Sequence, residues 1–488
     1  MEKKNTWETY SSKQLKELEK INAQYRDFLD NGKTERECID TIVNTIEKSG
    51  YRELESLIKE GAALKTGDKV YSVWMNKSIA MFQIGRKPMT DGMNILGAHI
   101  DSPRLDVKQN PLYEDGGFAY LDTHYYGGVK KYQWVTIPLA IHGVIVKKDG
   151  TCVEINIGEN EDDPVFFVSD LLIHLAQEQL EKKAAKVIEG EALDIIVGNK
   201  PLLIDKKDKK KDEKEAGKEA VKAGVLDILK ETYDIHEEDF VSAELEIVPA
   251  GKAREAGFDR SMTLAYGQDD RVCAYTSMQA MLDSNVTDRT MCCILVDKEE
   301  IAMLLHIGLT MPEKEEIGSV GATGMQSHFF ENAVAEVMNL AGEYSELNVR
   351  RCLAHSCMLS SDVSSAFDPA YASSFDKKNV AYLGGGMVIN KFTGARGKSG
   401  SNDANAEYLA HLRHIFDKAE VNFQTAELGK VDLGGGGTIA YILALYGMNV
   451  IDSGVAVLNM HAPWEATSKA DVYEAYRGYK AFVEGASL

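Results

Sequence analysis

The chain has 488 residues, of which 44% are hydrophobic and 27% charged, and its 55 Lys and Arg stand against 76 Asp and Glu for a formal net charge of −21. This balance is typical of a globular protein of about three domains and excludes a peptide hormone, a disulfide mini-scaffold and a chain disordered throughout. The negative field repels phosphates, which disfavours a broad nucleic-acid or anionic-membrane surface and leaves small neutral or cationic partners.

The first part of the chain, residues 1–104, predicts two helices, a hairpin and a strand. Its N-terminus, MEKKNTWE, starts no apolar stretch, so we predict no signal peptide and a cytoplasmic location. Apolar residues at helical spacing predict helices over 12–30 and 35–48. The segments VYSVWM and SIAMFQIG predict a hairpin, and NILGAH predicts a short strand.

The character of the chain changes over residues 105–255. Segments such as WVTIPLAIHGVIVKK, CVEINI and AELEIVPA, broken by acidic and Gly-rich turns, predict an inserted, mostly β domain. Within it, residues 206–219 form a dense mixed-charge run. Because acids interleave the lysines, a solvated, mobile loop is favoured there over a nucleic-acid patch.

Residues 256–488 return to the first domain, and strands alternate with helices. The predicted elements here are a strand at 290–296 and helices over 271–283, 328–341, 403–417 and from about residue 468. The longest uncharged run, residues 434–451, is shorter than the roughly 20 apolar residues that span a bilayer, and we expect a buried loop and helix there. The alternation predicts an α/β fold with a mostly parallel sheet covered on both faces, and functional groups at the C-terminal ends of its strands.

Residue types that bind metals follow several of these strands. His99 ends NILGAH, and the period of two places Asp101 on the same side, where it can fix the imidazole tautomer that a metal ligand needs. Asp269 lies at a helix start, Asp362 lies in LSSDVSS, and His461 ends VAVLNM. Each has a plain structural explanation, as a helix cap, an Asx-turn or a lone strand-end histidine.

Two Glu-Glu pairs compete for a further place in such a site. DKEEI at 297–301 is repeated as EKEEI at 313–317, which offers Glu299 and Glu300 or Glu315 and Glu316. Adjacent glutamates at a strand end can divide labour between binding a metal and accepting a proton from water. Together, two histidines and three carboxylates on separate segments suit a pair of zinc or similar ions. Seven cysteines without paired spacing indicate reduced core thiols instead of a Cys-rich site.

A set of motifs resembles the aspartyl aminopeptidase and aminopeptidase I family, number eighteen among the metallopeptidases, over nearly the whole chain. The motifs are GAHIDSPRLD, GQDDR, DKEEI with EEIGSVGATGMQS, LSSDVSSAFDP, KFTGARGKSGSNDA and LNMHAPWE. The resemblance implies a zinc-exopeptidase-like α/β catalytic domain interrupted by a β-rich assembly domain, in a tetrahedral dodecamer. It also implies a metal-dependent aminopeptidase that removes single residues from free peptide N-termini.

The resemblance further implies roles for particular residues. Asp269 would bridge two divalent ions, most simply zinc; His99 and Asp362 would complete one, and a Glu and His461 the other. Asp101 would orient His99. Because the Gly-Ser turn follows the second Glu-Glu pair without a break, we favour Glu315 as the general base and Glu316 as the ligand; strand register would select Glu299 and Glu300 instead.

Two substrate-side features depart from the family pattern. In acid-preferring relatives a histidine stands where this chain has Ser365. A basic residue is also expected at position 390, where this chain has Asn390, with Lys391 next to it. A preference for acidic N-terminal residues is therefore open. His174 matches a family histidine near the site or at a subunit contact, with an ordinary helix-face histidine as the alternative.

Three other functions compete with the aminopeptidase. A two-metal deacylase or carboxypeptidase would use the same scaffold, and a non-catalytic assembly protein would explain the repeated Glu-Glu segment. A nucleotide binder is disfavoured, since no Gly-Lys-Ser/Thr follows the glycines at 434–437 in that loop.

Overall fold

The structure is a computed structural model that describes residues 5–202, 219–300, 319–394, 398, 401–432 and 434–487. The chain forms two compact units. The first comprises Met1–Ser102, Ala253–Met460 and Trp464–Leu488, and the second comprises Pro103–Lys252 and His461–Pro463.

A mostly parallel sheet forms the centre of the first unit, as predicted. Within the described residues it has nine strands, in the spatial order Arg52–Glu53, Lys69–Trp74, Ser78–Gln83, Thr290–Val296, Met93–His99, Cys357–Ser361, Asn449–Gly454, Met387–Asn390 and Phe423–Thr425. Thr290–Val296 and Met93–His99 are buried along their whole length, which explains their continuous apolar sequence. The four strands from Thr290–Val296 to Asn449–Gly454 pair in parallel, so their C-terminal ends lie at one edge.

Helices cover this sheet. The α-helices of the first unit are Ser12–Asn31, Glu35–Glu47, Leu54–Glu60, Gln268–Leu282, Phe329–Leu340, Glu346–Ala354, Ala406–Lys418, Ala440–Ala444 and Lys469–Gly485. The two N-terminal helices, predicted over 12–30 and 35–48, are confirmed and begin at capping boxes, Ser11 with Gln14 and Thr34 with Glu37. The helix Glu346–Ala354 was not among the predicted elements.

A second, smaller sheet also belongs to the first unit. Its strands are, in spatial order, Arg254–Ala256, Met262–Ala265, Glu465–Ser468, Ala456–Leu458 and Ser364–Ser365. Met262–Ala265 leads directly into the helix Gln268–Leu282, and Glu465–Ser468 leads into Lys469–Gly485.

The second unit is built on an antiparallel half-barrel sheet. Its strands are, in spatial order, Cys152–Ile157, Leu139–Val146, Ala243–Pro249, Arg104–Asp115, Phe118–Tyr126 and Ile195–Gly198. The predicted β character of CVEINI, WVTIPLAIHGVIVKK and AELEIVPA is confirmed. The unit also holds the α-helices Gln177–Leu180, Ala184–Val187 and Ala220–Tyr233. The predicted charged loop lies outside the described residues except for Glu219.

Among the described helices, none combines the length and the apolar character needed to cross a bilayer. All seven cysteines are free; Cys152 is exposed and the other six are buried.

Candidate metal centre

The C-terminal edge of the parallel strands gathers the predicted site residues of the first unit. His99 is the last residue of Met93–His99, and Val296 lies beside it in the neighbouring strand. Glu299 follows that neighbouring strand after two residues, and Asp362 directly follows Cys357–Ser361. Side chains far apart in sequence therefore meet at one edge of the sheet.

Asp101 fixes the orientation of His99. The Nδ1 atom of His99 lies 3.3 Å from a carboxylate oxygen of Asp101 and 3.1 Å from its carbonyl oxygen, and both residues are buried. Only a protonated Nδ1 can donate to these acceptors, so Nε2 carries the lone pair in the neutral ring. The structure thus places these two residues in contact, at the spacing that the sequence suggested.

Three carboxylates surround the other nitrogen of His99. Its Nε2 atom lies 3.3 Å from Asp269 Oδ1, 3.8 Å from Glu299 Oε2 and 4.0 Å from Asp362 Oδ1. Potential ligand atoms of His99, Asp269 and Asp362 all lie within 4.8 Å of one another, and so do those of His99, Glu299 and Glu300. One imidazole nitrogen thus faces a cluster of oxygen donors.

The carboxylate of Asp269 is not used as a helix cap. The N-cap position of Gln268–Leu282 is Gly267, with no side-chain cap bond, and Asp269 itself has non-helical backbone angles. Its N–H donates to Glu465 Oε2 at 3.0 Å, and its carbonyl oxygen accepts from Ser102 Oγ at 2.6 Å. These bonds hold the backbone of Asp269, and its carboxylate lies beside His99.

Asp101 also holds the backbone of the Glu299-Glu300 pair. Its two carboxylate oxygens accept the N–H groups of Glu299 at 3.2 Å and Glu300 at 3.0 Å. One buried carboxylate thus orients both a histidine and a pair of glutamates. The sequence analysis assigned Asp101 only to His99, because a backbone bond across nearly 200 residues leaves no trace in spacing.

The electrostatics of the cluster favour a cation. Burial alone would lower the pKa of His99, yet the charge of Glu299 and the hydrogen bonds to Asp101 and Asp269 raise it well above its ordinary value. Burial, and then the charge of Asp362, raise the pKa of Asp270 well above its usual range. Closely packed, desolvated carboxylates repel one another, and a divalent cation relieves this repulsion. Nitrogen and oxygen donors of this kind suit zinc.

The other predicted metal-site residues are Glu315, Glu316 and His461. Glu315 and Glu316 lie outside the described residues, so the structure supplies only Glu299 and Glu300. His461 belongs to the short stretch His461–Pro463 of the second unit, where its Nδ1 atom lies 3.2 Å from the carbonyl oxygen of Gly128.

The two predicted contact residues are exposed. His174 lies in the short 3₁₀-helix Ile173–Leu175 of the second unit, and Lys391 lies 3.4 Å from the carboxylate of Asp403. Glu465, which holds Asp269, was not predicted as part of the site. Glu465 is the last residue of the motif LNMHAPWE, and this membership was the sequence signal that could have identified it.

Comparison with known proteins gives a consistent result. Residues 28–483 match the family model of the aminopeptidase I zinc metalloproteases, M18. A probable M18 family aminopeptidase 1 of Clostridium acetobutylicum is 61% identical over 482 residues, covering 99% of this chain and 98% of the relative.

Solved structures agree in fold. The M18 aminopeptidase of Thermotoga maritima superposes with a TM-score of 0.89 at 42% identity and covers 100% of both chains. Aminopeptidase I of C. acetobutylicum gives 0.86 at 58% identity, covering 99% of each chain. A dodecameric mApe1 structure from Saccharomyces cerevisiae gives 0.72 at 19% identity, covering 95% of this chain and 96% of its own, and so shares the fold alone.

Proposed function

The chain belongs to the M18 family of zinc metallo-aminopeptidases, and from this premise we propose that it holds two zinc ions at the strand edge and releases single residues from free peptide N-termini. The observation that supports this most directly is His99, whose Nδ1 atom is held by Asp101 while its Nε2 atom faces three carboxylates within 4.0 Å. A histidine oriented in this way is typical of metal ligands.

The ligands divide into two sets that share Asp269. His99 and Asp362 would hold one ion, since their ligand atoms and those of Asp269 lie within 4.8 Å of one another. Glu300 would hold the second ion, and the family resemblance gives His461 the remaining place there. Zinc bound at these ligands supplies a Lewis acid for the scissile carbonyl and lowers the pKa of water.

Glu299 is the residue we propose as general base. Its carboxylate is buried, lies 3.8 Å from His99 Nε2 and is aimed by the backbone bond to Asp101. It would accept a proton from the attacking water at a carboxylate oxygen and deliver it to the leaving amine. This assigns to Glu299 and Glu300 the roles that motif continuity favoured for Glu315 and Glu316.

Two residues that the family resemblance places on the substrate side, Asn390 and Lys391, favour a neutral N-terminal side chain over an acidic one. Asn390 is buried and donates from Nδ2 to Ser364 Oγ at 3.4 Å, so this position offers an uncharged amide. Lys391 points its ammonium toward Asp403, which offsets its charge. The carboxylate cluster suits the amino group of a peptide terminus, which restricts cleavage to the chain end.

We also propose that the chain works as a homo-oligomer, a dodecamer by resemblance. In the second unit, Leu171, Leu172, Ile173 and Leu175 are between 49% and 69% exposed, on both sides of His174. Consecutive exposed apolar side chains of this kind are typical of protein–protein contacts. A cytoplasmic site of action remains a prediction.

A release assay tests the function. Zinc-loaded protein should release the first residue from free-amine dipeptides, should leave N-acetylated peptides intact, and should lose activity when a chelator removes the metal. Cleavage of the acetylated peptides would favour the deacylase or carboxypeptidase. Less than one zinc ion per chain in zinc-supplemented protein would favour a non-catalytic assembly.

A further inference from the structure

Asp297 lies between the strand Thr290–Val296 and the glutamate pair, and it has no place among the proposed ligands. Its side chain is fully buried and accepts the N–H of Lys298 at 2.7 Å. Its other carboxylate oxygen accepts the hydroxyl of Thr323 at 2.7 Å, although Thr323 lies 26 residues further along the chain. The N–H of Asp297 also donates to the carbonyl oxygen of Thr323 at 3.4 Å. Thr323 therefore binds Asp297 by both its side chain and its backbone.

Thr323 is itself held in a tight turn over residues 319–326. The N–H of Ser319 donates to the carbonyl oxygen of Lys298 at 2.5 Å, and the N–H of Gln326 donates to the carbonyl oxygen of Ser319 at 3.1 Å. A side chain on Gly324 would place its Cβ 2.3 Å from that same oxygen of Ser319, so the turn requires glycine there. From the other side, the hydroxyl of Ser78 donates to the carbonyl oxygen of Thr323.

Two sets of hydrogen bonds, which we call anchors, thus hold the backbone of the Glu299-Glu300 pair. On its N-terminal side, Asp297 and the turn hold Lys298, whose backbone adopts a left-handed conformation with φ of 75°. At the pair itself, the carboxylate of Asp101 accepts the N–H groups of Glu299 and Glu300. The first anchor decides the direction in which the chain enters the pair, and the second decides where the pair lies against His99.

We propose that Thr323 is a positioning residue for the reaction, acting through Asp297 to aim Glu299 and Glu300. Thr323 lies outside the proposed ligand set and acts only through hydrogen bonds to Asp297. The inference rests on the proposed function, because it concerns the orientation of Glu299 as the general base and of Glu300 as a zinc ligand. A displacement of about 1 Å at a reacting group can cost roughly 100-fold in rate. Loss of the Thr323 hydroxyl should therefore lower turnover and leave substrate binding largely unchanged.

The experiment compares Thr323→Val, which keeps the shape and removes the hydroxyl, with Thr323→Ser, which keeps the hydroxyl. The matched control is Thr123→Val, because Thr123 is also buried and its hydroxyl donates to the carbonyl oxygen of Leu193 at 2.9 Å in the second unit. We expect Thr323→Val to lower kcat roughly 10-fold to 100-fold with KM and zinc content within about twofold, Thr323→Ser to restore most of kcat, and Thr123→Val to leave kcat unchanged.

The inference is overturned if Thr323→Val keeps the kcat of the unaltered protein, or if Thr323→Ser loses as much activity as Thr323→Val. An equal loss in Thr123→Val would overturn it too, because the effect would then be general. If Thr323→Val does not fold, Ser78→Ala decides, since it removes only the bond to the Thr323 carbonyl: a lowered kcat supports the inference and an unchanged kcat overturns it.

Glu299→Gln separates this inference from the proposed function. If Glu299→Gln is inactive while Thr323→Val is fully active, the base assignment stands and only the positioning role fails. If the unaltered protein releases no residue, or Glu299→Gln remains active, the proposed function or its base assignment fails first.

Discussion

Replacing Asp101 with asparagine tests the arrangement of the centre at its most connected residue. The carboxylate accepts from His99 Nδ1 and from the N–H groups of Glu299 and Glu300, and it is fully buried. Asparagine keeps one acceptor oxygen, but its NH₂ group replaces the other oxygen and faces an N–H group that also donates. Asp101 Oδ1 accepts from both His99 Nδ1 and the Glu299 N–H, and Oδ2 accepts from the Glu300 N–H. An asparagine with its oxygen at the Oδ1 position therefore loses one hydrogen bond to a charged group, which removes about 1.5 to 3 kcal/mol of local stabilisation.

The substitution should weaken zinc binding as well as folding. Outer partners of metal ligands typically contribute about 10-fold to 100-fold in affinity, so we expect Asp101→Asn to weaken zinc binding by about that factor and to lower kcat. Competition with a chromophoric chelator measures the affinity, and residue release from a dipeptide measures kcat.

Asp471→Asn is the matched control. Asp471 is also fully buried, and its carboxylate accepts two backbone N–H groups, from Gly384 at 2.8 Å and Gly386 at 2.7 Å. Both variants should melt at lower temperature, and only Asp101→Asn should lose zinc affinity. Zinc affinity within about threefold of the unaltered protein in Asp101→Asn, or an equal loss in Asp471→Asn, would refute the reasoning.

Three further predictions concern the base, a buried acid and the assembly surface. Glu299→Gln should lower kcat by about 100-fold or more with zinc retained, whereas Glu315→Gln should stay within about twofold; the reverse pattern in release assays would return the role to the second pair. Burial raises the pKa of Asp452 to about 7, far above the unfolded value, so the native state keeps a proton that the unfolded chain has released. Its contribution is therefore complete below about pH 4 and falls by about 1.4 kcal/mol for each pH unit up to pH 7; melting at pH 5 and pH 7.5 should show a smaller difference in Asp452→Asn. Leu175→Asp should reduce the mass measured by light scattering. Leu445→Asp, which alters a more exposed leucine of the first unit (81% exposed against 69% for Leu175), should not reduce it. Equal masses for both variants and the unaltered protein would contradict the proposed assembly surface.

Periodicity was sufficient for much of the fold. The strand predicted at 290–296 is Thr290–Val296, and the helix predicted over 328–341 is Phe329–Leu340, because a long apolar run or a clean helical stripe leaves little choice. The Ala220–Tyr233 helix was missed because it lies inside a region whose flanking segments are strands.

The centre was less accessible to sequence reasoning where it depends on hydrogen bonds between distant backbone groups. The pairing of Asp101 with His99 follows from a spacing of two residues. The turn that follows EEIGS was expected to aim Glu315 and Glu316, because it is continuous with them in sequence. In the structure this turn contacts Asp297 and Lys298, and no spacing rule reveals a bond between Thr323 and a residue 26 positions earlier.

The order of strands in the main sheet has a consequence for when activity can arise during synthesis. Thr290–Val296 inserts between Ser78–Gln83 and Met93–His99, and Cys357–Ser361 pairs on the far side of Met93–His99. A nascent chain therefore leaves the ribosome with its early hairpin complete and the neighbouring strand unpartnered, until some two hundred later residues have emerged. The metal centre is therefore incomplete in a nascent chain, and a truncated chain would not hydrolyse the peptides around it.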